Sequence, residues 1–351
     1  MKDQLKRSGV PGSTLVRGGM AWGLIALAVL VGSCSGKAAQ AGARTADGGL
    51  IPIKTNSKLT CTATPYVVAD KKGFFAEEGL VIKYTGELGE GQTLLPTILN
   101  GTNDIGEAHP NAFATYVNEG AEVKAVTLNI VDPPADVDPK FRHMRFYVSP
   151  ASGIRSLEDL KTYKNGGTIS ISGRAPSCST FLANKIFDHN KLGRERIEFV
   201  SFASDTAALQ ATEQGTLDIA FVHPPFYLVA EQAGLVQIAD SYDTGLGAAA
   251  GTYIYYFSDE FISKNPEVVQ KFVNAIKKAQ NWANENPEEA MSLTADHISK
   301  EVNAVHYYYT GDGFPEEFII PWIEDLEDEG VLEKGAVRVD DLVTYQFEPK
   351  V

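Results

Sequence analysis

The sequence predicts an α/β protein in which two Rossmann-like lobes are joined by a two-crossing hinge and enclose a ligand cleft. The first observation is a repeat, because residues 101–110 (Gly-Thr-Asn-Asp-Ile-Gly-Glu-Ala-His-Pro) align without a gap with residues 215–224 (Gly-Thr-Leu-Asp-Ile-Ala-Phe-Val-His-Pro). Each copy begins at a glycine typical of a helix end and runs through a short apolar strand into His-Pro, which opens another helix. Ligands of open α/β sheets bind at the carboxyl ends of strands, so the two His-Pro pairs predict opposite sides of a cleft.

The second observation is that strand-like and helix-like segments alternate from residue 56 onward, over about 300 residues, which suffices for two lobes. Lobe 1 is predicted to comprise residues 57–148 and 243–351, and lobe 2 residues 149–242. The chain would cross between them near Ser149 and near Ser241. Alternation of this kind favours largely parallel sheets.

The predicted elements of lobe 1 begin with a strand and a helix that Pro65 opens and Gly73 ends. Its predicted strands are residues 59–62, 81–84, 123–129, 145–148 and 252–257, and its predicted helices are residues 64–72, 93–100, 268–285, 288–295 and 315–329. In lobe 2 the predicted strands are residues 168–172, 197–202 and 236–239. The helices there are residues 154–160, with Ser156 as N-cap, 177–189 and 206–214.

The N-terminal segment reads as an export signal. A basic region precedes residues 20–31, which carry no charge, and Val31-Gly-Ser-Cys34 resembles a lipobox. We therefore expect residues 1–33 to be a lipoprotein signal peptide and Cys34 to be lipidated, with a plain signal peptide or an uncleaved anchor as the alternative. Residues 34–56 read as a flexible tether rich in Gly, Ala and Ser. The folded part would be extracytoplasmic and held at the cell membrane by the lipid alone.

Charge and cysteine content narrow the class further. A net charge of −14 argues against binding to nucleic acid, which requires a basic patch. Beyond Cys34 the chain has Cys61 and Cys178, which an exported protein can join in a disulfide. These two cysteines fall in different lobes, where a disulfide would lock the hinge, so free thiols are predicted.

With these segments placed, the chain resembles the type II periplasmic binding proteins, in the branch that serves nitrate, sulfonate, taurine and thiamine-pyrimidine importers. The matching segments are residues 65–80, the Gly-x-x-Asp-Ile phrase of both repeats, residues 154–160 and residues 265–269. The resemblance implies a monomeric solute receptor that works with ABC permease subunits, with no catalysis and no cofactor of its own. The expected solute is a small organic molecule, such as a sulfonate, a carboxylate or a pyrimidine-like heterocycle.

Candidate ligand-binding residues lie at strand ends and helix starts of both lobes. The helix start at residue 177 offers hydroxyls and backbone N–H groups to an anion, and His109 and His223 occupy equivalent positions in the two repeats. In the resembling family, the loop after the first strand also lines the pocket. The predicted set is Thr62, Thr64, Tyr66, Glu107, His109, Asn111, Arg174, Ser177, Ser179, Thr180, His223, Phe226 and Tyr253.

Two other interpretations stay open at this point. A metal bound by His109, His223 and Glu107 is conceivable, but His-Pro provides no chelating pair within either segment, so the sequence predicts no metal site. The resemblance also admits a pyrimidine-synthesising enzyme that uses its own histidine, or a ligand-sensing subunit. Export and the lack of a nucleophile–base motif oppose the enzyme, and neighbouring permease or sensor-kinase genes would separate import from sensing.

Overall fold

The computed structural model describes residues 49–88 and 92–347. The strands are β1 (Ile51–Lys58), β2 (Leu80–Leu88), β3 (Gly106–Ala108), β4 (Val123–Leu128), β5 (Ile130–Val131), β6 (Arg145–Val148), β7 (Ile169–Ser172), β8 (Ile197–Val200), β9 (Ala220–Val222), β10 (Val236–Asp240), β11 (Ile254–Ser258) and β12 (Tyr307–Tyr308). The α-helices are α1 (Thr64–Lys71), α2 (Phe74–Glu77), α3 (Leu95–Leu99), α4 (Pro110–Asn118), α5 (Cys178–His189), α6 (Asp205–Glu213), α7 (Phe226–Gln232), α8 (Asp259–Lys264), α9 (Pro266–Glu285), α10 (Pro287–Ile298), α11 (Glu316–Asp328) and α12 (Val339–Leu342).

The two lobes are built on the same plan around one crossing strand each. In lobe 1, β11 arrives from the other lobe and pairs antiparallel between β3 and β4. In lobe 2, β6 arrives from lobe 1 and pairs antiparallel between β9 and β10. The outer pairs β1–β2 and β7–β8 are parallel. The equivalent positions of β3 and β9 therefore place the two repeats at corresponding points of the two lobes.

Apolar side chains cover both faces of each crossing strand. Along β11, Tyr255 and Phe257 pack under α1 and α9, while Ile254 and Tyr256 pack under α4 and α11. This follows from the alternation of side chains along a strand, so a strand buried on both faces carries an unbroken apolar run. Residues of β6 divide in the same way between two cores of lobe 2. Helix α11 joins the lobes, because its Trp322 lies in a lobe 2 core.

The repeated phrase folds as the sequence predicts. Helix α3 ends before Gly101 and helix α6 ends before Gly215, and both glycines have left-handed backbones, with φ of +72° and +74°. That conformation is open to glycine without the steric cost that a side chain brings. The strands β3 and β9 follow, and each ends at a histidine. Helix α4 begins directly at Pro110, whereas α7 begins at Phe226, after Pro224 and Pro225.

The structure corrects several predicted boundaries. The first strand is Ile51–Lys58 and begins inside the predicted tether of residues 34–56, while residues 61–63 form a 3-10 turn where a strand was predicted. Its sequence did not indicate a strand, because two of its three buried residues, Thr55 and Lys58, are polar and only Ile53 is apolar. The first crossing lies between β5 and β6, so residues 145–148 belong to lobe 2 and the predicted crossing near Ser149 is too late. The second crossing, between β10 and β11, includes Ser241.

The prediction of largely parallel sheets is wrong in its extent. Both crossing strands pair antiparallel with both of their neighbours, so the three-stranded sheets β3–β11–β4 and β10–β6–β9 are antiparallel, while the two-stranded sheets β1–β2 and β7–β8 are parallel. The predicted signal peptide and Cys34 lie outside the described residues. Among the described residues, no helix is long and apolar enough to cross a membrane.

Candidate functional site

His109 stands at the end of β3 and caps the start of α4. Its Nδ1 lies 2.8 Å from the carbonyl oxygen of Thr252, just before β11. The imidazole stacks on the indole of Trp322 at a centroid distance of 5.0 Å and an interplanar angle of 14°, and it contacts the Tyr253 ring at 4.5 Å. These contacts fix the ring plane and leave Nε2 of His109 to face the interior.

His223 follows β9 in lobe 2 and is oriented by a carboxylate. Its Nδ1 lies 3.2 Å from Oδ2 of Asp205, the first residue of α6, and the same oxygen accepts a hydrogen bond from the His223 backbone N–H. Its Nε2 lies 3.1 Å from Sγ of Cys178. Asp205, His223 and Cys178 thus form a continuous chain of polar contacts within lobe 2.

Cys178 is the first residue of α5, directly after the N-cap Ser177. Burial alone raises the pKa of its thiol, but the neighbouring imidazoles of His109 and His223 outweigh burial and lower this pKa to about 5. Burial lowers the pKa of His223, yet the Cys178 thiolate and Asp205 raise it well above the ordinary value. Each of the two groups therefore stabilises the charged form of the other.

His143 comes from the first crossing and is a histidine that the sequence did not single out. It is 1% exposed, and its Nδ1 lies 3.3 Å from Nδ1 of His306. Its Nε2 is buried and has no hydrogen-bond partner among the described residues. Burial, together with the surrounding imidazoles, holds the pKa of His143 well below its usual value, so this ring is neutral.

These four residues converge although they are far apart in the sequence. One potential ligand atom from each of His109, His143, Cys178 and His223 lies within 4.8 Å of every other. Lobe 1 supplies His109, lobe 2 supplies Cys178 and His223, and the crossing supplies His143. The cluster therefore lies where the two lobes meet, with donors from both.

A direct contact between the lobes lies beside the cluster. Asn111 of α4 donates from Nδ2 to the backbone carbonyl of Ser177 at 2.9 Å, and its Oδ1 accepts from the backbone N–H of Ala112. Trp322 of α11 is fully buried, stacks on Phe181 at 3.7 Å and donates from Nε1 to the Ala249 carbonyl at 2.8 Å. The lobes are consequently in close contact, as in a closed form.

Other predicted site residues lie away from this cluster. The Thr64 hydroxyl bonds to the Cys61 carbonyl and to Thr294 Oγ1, and Thr62 Oγ1 bonds to Thr60 Oγ1. The remaining members of this group are buried or ion-paired: Tyr66 packs on Tyr255 and Phe272, Glu107 pairs with Lys58 at 3.4 Å, and Phe226 lies in a lobe 2 core. Most of these contacts are those of buried core residues.

An anion-binding site was predicted at the start of α5, but the serine and threonine hydroxyls there bond to groups of the same segment. Ser177 Oγ lies 2.9 Å from Ser179 Oγ, and Ser177 and Thr180 form a reciprocal capping box. Arg174 is exposed. Tyr253 does lie at the cluster, against His109. The structure therefore brings together His109, His223 and Tyr253, with Asn111 and Ser177 beside them.

Sequence reasoning missed Cys178, His143, Asp205, Trp322 and His306 as parts of this site. A signal existed for Cys178, which stands at the predicted helix start. No local signal existed for His143 or His306, because the crossing and the segment before β12 lack a motif. A separate cavity of about 270 Å³ lies at the crossings, lined in part by Asp132, Tyr242 and Tyr309.

Comparison with known proteins identifies the family. A family model described as NMT1/THI5 like matches residues 61–290, which is more than half of the chain, so the chain belongs to the NMT1/THI5-like family. YtlA of Bacillus subtilis (strain 168), a protein with an inferred binding role, is 23% identical over 225 residues, covering 62% of this chain and 61% of YtlA. The match thus spans less than two thirds of that relative.

Solved structures share the fold. The periplasmic aliphatic sulphonate-binding protein SsuA from Escherichia coli superposes with a TM-score of 0.65 at 16% identity, covering 84% of this chain and 92% of SsuA. The desulfurization enzyme DSZB superposes with a TM-score of 0.58 at 13% identity, covering 86% of this chain and 97% of DSZB. The predicted type II periplasmic binding protein fold is confirmed, and the same fold also occurs in an enzyme.

Proposed function

We propose that the protein is the extracytoplasmic substrate-binding subunit of an ABC importer, anchored by a lipid on Cys34. Membership in a binding-protein family and the fold it shares with SsuA support the receptor role. The basic, uncharged and Cys-containing segments of residues 1–34 support export and lipidation. In this role the protein captures a small solute and delivers it to permease subunits without catalysis of its own.

One observation carries the proposal. His109 of lobe 1 and Cys178 and His223 of lobe 2 present their polar atoms to one point. Separation of the lobes would disperse these groups, whereas a solute that contacts all of them stabilises the closed arrangement. Hinge closure around a solute is the usual motion of two-lobed binding proteins.

The structure also bears on the size of the solute. The sequence predicts a small sulfonate, carboxylate or heterocycle. Around His109, however, the rings of Tyr253 and Trp322 are in direct contact with the imidazole. Because the ligand atoms of His109 and His223 also lie within 4.8 Å of each other, we propose that whatever contacts both histidines in this closed form is smaller than a flat organic molecule.

The anchor is tested by metabolic labelling with palmitate. Wild-type protein should carry the label, and Cys34→Ala should not, because the acylated thiol is gone. Cys61→Ala is the matched control, because Cys61 is buried in lobe 1 and should leave labelling unchanged. Label retained in Cys34→Ala would show that the lipid assignment is wrong.

The importer role is tested by purification of the full-length protein from its own membranes in mild detergent. Permease and ATPase subunits should co-purify, and native mass spectrometry should show a bound small solute. Co-purification of a sensor kinase in their place would support a sensing subunit and contradict the importer.

The series of contacts that links Cys178, His223 and Asp205 favours a second candidate function, that of a thiol enzyme. Its contacts of 3.1 Å and 3.2 Å match a nucleophile, a base and an orienting carboxylate. Such an enzyme should turn over an activated ester such as p-nitrophenyl acetate repeatedly, and His223→Ala should abolish this turnover. A binding protein should release at most one equivalent of nitrophenol. Continued turnover by wild type alone would favour the enzyme.

A further inference from the structure

We propose that His109, His143, Cys178 and His223 form a binding site for a single late first-row transition-metal ion, with Zn²⁺ as the reference ion. Three of the six histidines of the chain lie in this one cluster and a fourth, His306, contacts His143, so imidazole is concentrated at the junction of the lobes. The site itself stands on the positions of these side chains. Its use as the solute site of an importer rests on the proposed function.

The four side chains offer ligand atoms that suit a late transition metal. Three imidazole nitrogens and one thiolate are the ligands of tetrahedral zinc, and they also suit copper, cobalt and nickel. Calcium and magnesium require oxygen ligands, which the four residues do not offer. The chemistry therefore selects a borderline-soft cation.

One of the proposed ligand atoms is a buried nitrogen without a hydrogen-bond partner among the described residues. Nε2 of His143 is fully buried and has no hydrogen-bond partner among the described residues. A buried polar atom without a partner destabilises the folded state, so such an atom in a native protein calls for an explanation. A metal ion bound by this nitrogen supplies that partner.

The three imidazole rings are oriented by contacts of their Nδ1 atoms. Each ring is held through Nδ1 by a different neighbour: His109 by the Thr252 carbonyl at 2.8 Å, His223 by Asp205 at 3.2 Å, and His143 by His306 at 3.3 Å. Metal-bound histidines characteristically hold their second nitrogen in this way, which fixes the tautomer and aims the ligating nitrogen. None of these contacts uses an Nε2 atom, and Nε2 of His223 lies 3.1 Å from Sγ of Cys178, the fourth proposed ligand.

The distances between the four ligand atoms are close to those of a metal site. Ligand atoms of a tetrahedral zinc site lie about 3.3–3.7 Å apart, given Zn–N and Zn–S bonds of about 2.0–2.3 Å. The ligand atoms here lie within 4.8 Å of each other, and Sγ of Cys178 is already 3.1 Å from Nε2 of His223. Side-chain movements of about 1 Å bring them to bonding positions. On binding, the ion replaces the proton shared by Cys178 and His223, which passes to solvent.

The test uses the full-length chain in detergent, stripped of metal with a chelator and then dialysed against buffered Zn²⁺. Wild type should bind one ion per chain by elemental analysis. His143→Ala and Cys178→Ser should each lose at least about 100-fold in affinity, because loss of a ligand exceeds the roughly 10–100-fold effect of an outer partner. His189→Ala, an exposed histidine on the same helix as Cys178, should bind as wild type does.

Cobalt provides an independent reading of the same site. Co²⁺-loaded wild type should show a thiolate-to-metal charge-transfer band, and Cys178→Ser should lose that band. Circular dichroism checks that each variant is folded, and Cys178→Asp, which retains an anionic ligand, should recover part of the affinity. Equal zinc affinity in wild type, His143→Ala and Cys178→Ser would place any bound metal elsewhere and overturn the proposal.

The outcomes also separate this proposal from the receptor role. Absence of zinc binding, together with a small organic molecule in the native mass spectrum, would overturn the metal site and leave the receptor intact. Zinc binding at the four residues without co-purifying permease subunits would support the metal site and count against the importer.

Discussion

The two repeats follow the same backbone path in opposite lobes, but their side chains have different surroundings. Asp104 of the first repeat accepts a hydrogen bond from the Lys54 backbone N–H at 2.8 Å and pairs with the Lys54 ammonium at 3.3 Å, and burial raises its pKa. The equivalent Asp218 accepts bonds from Tyr163, Lys164 and Ser170. Burial raises the pKa of Asp218 as well, but these donors outweigh burial and leave its pKa below the ordinary value.

The histidines of the two repeats also differ in the groups that surround them. His109 is held by a neutral carbonyl and by aromatic rings, whereas His223 is held by a carboxylate and contacts the thiol of Cys178. Lobe 2 thus supplies the charged half of the site, and lobe 1 supplies an imidazole that lies between aromatic rings. The two repeats share a backbone geometry, whereas the chemical properties of each histidine depend on the residues around it. We therefore expect lobe 2 to bind the ion first and lobe 1 to close over it.

The largest expected effect concerns Trp322, which belongs to a lobe 1 helix and packs in a lobe 2 core. Trp322→Ala should lower the free energy of unfolding by about 3–5 kcal/mol, because it leaves a cavity against Phe181 and removes the bond to Ala249. Urea unfolding measures this. Trp282→Ala is the control, since Trp282 is half-buried in lobe 1 and should cost less. Equal losses would show that α11 does not couple the lobes.

A second prediction compares the two aspartates of the repeats. Asp218→Asn should lower the free energy of unfolding by about 1.5–3 kcal/mol at neutral pH, because it removes hydrogen bonds to an ionised acceptor. The pKa of Asp218 is depressed on folding, so its stabilisation is present above the unfolded pKa and is lost as pH falls through the folded pKa. The gap between wild type and Asp218→Asn should therefore shrink in acid.

Asp104→Asn should behave differently. Its folded pKa is raised, so its contribution is present below the unfolded pKa and is lost as pH rises through the folded pKa. At neutral pH this variant should cost less than Asp218→Asn. Unfolding curves of the two variants at neutral and acid pH decide the matter, and identical pH profiles would contradict the difference between the repeats.

A third prediction concerns the partners behind the histidines. Asp205→Asn keeps a hydrogen-bond acceptor for His223 but loses the charge, so zinc affinity should fall about 10–100-fold. Thr252→Val should leave affinity unchanged, because Thr252 contacts His109 through its backbone carbonyl alone. Calorimetric titration measures both. A loss in Thr252→Val as large as that in Asp205→Asn would contradict a special role for the carboxylate.

The smallest expected effect concerns the contact of Asn111 with the Ser177 carbonyl across the lobes. Asn111→Ala removes one hydrogen bond, worth about 0.5–1.5 kcal/mol, and should weaken zinc binding about threefold to tenfold. Asn118→Ala, at the exposed end of the same helix, should have no effect. Wild-type affinity in Asn111→Ala would mean that this contact forms equally in open and closed forms.

The sequence predicts the fold well because its signals are local. The glycines at 101 and 215 end helices, apolar runs such as residues 145–148 form strands, and the repeat reveals the second lobe. The first strand, Ile51–Lys58, was not predicted because five of its eight residues are polar and the pairing with β2 stabilises it. The antiparallel entry of β6 and β11 escaped because strand direction depends on distant partners.

The site was predictable only in part for a similar reason. His109 and His223 stand out because the repeat pairs them, and Tyr253 follows from the alternation of side chains along its predicted strand. His143 and His306 lie in segments without a motif, and they reach the site only once the crossing is folded. A chelating set formed by single residues from four segments leaves no spacing pattern in the sequence.

The most direct test of the account is small-angle scattering of the full-length protein in detergent, recorded without metal and at zinc saturation. Because both repeats contribute ligands to one ion, zinc should lower the radius of gyration of wild type and should not change that of His143→Ala. One bound zinc per chain with an unchanged wild-type radius would contradict closure of the lobes around the ion.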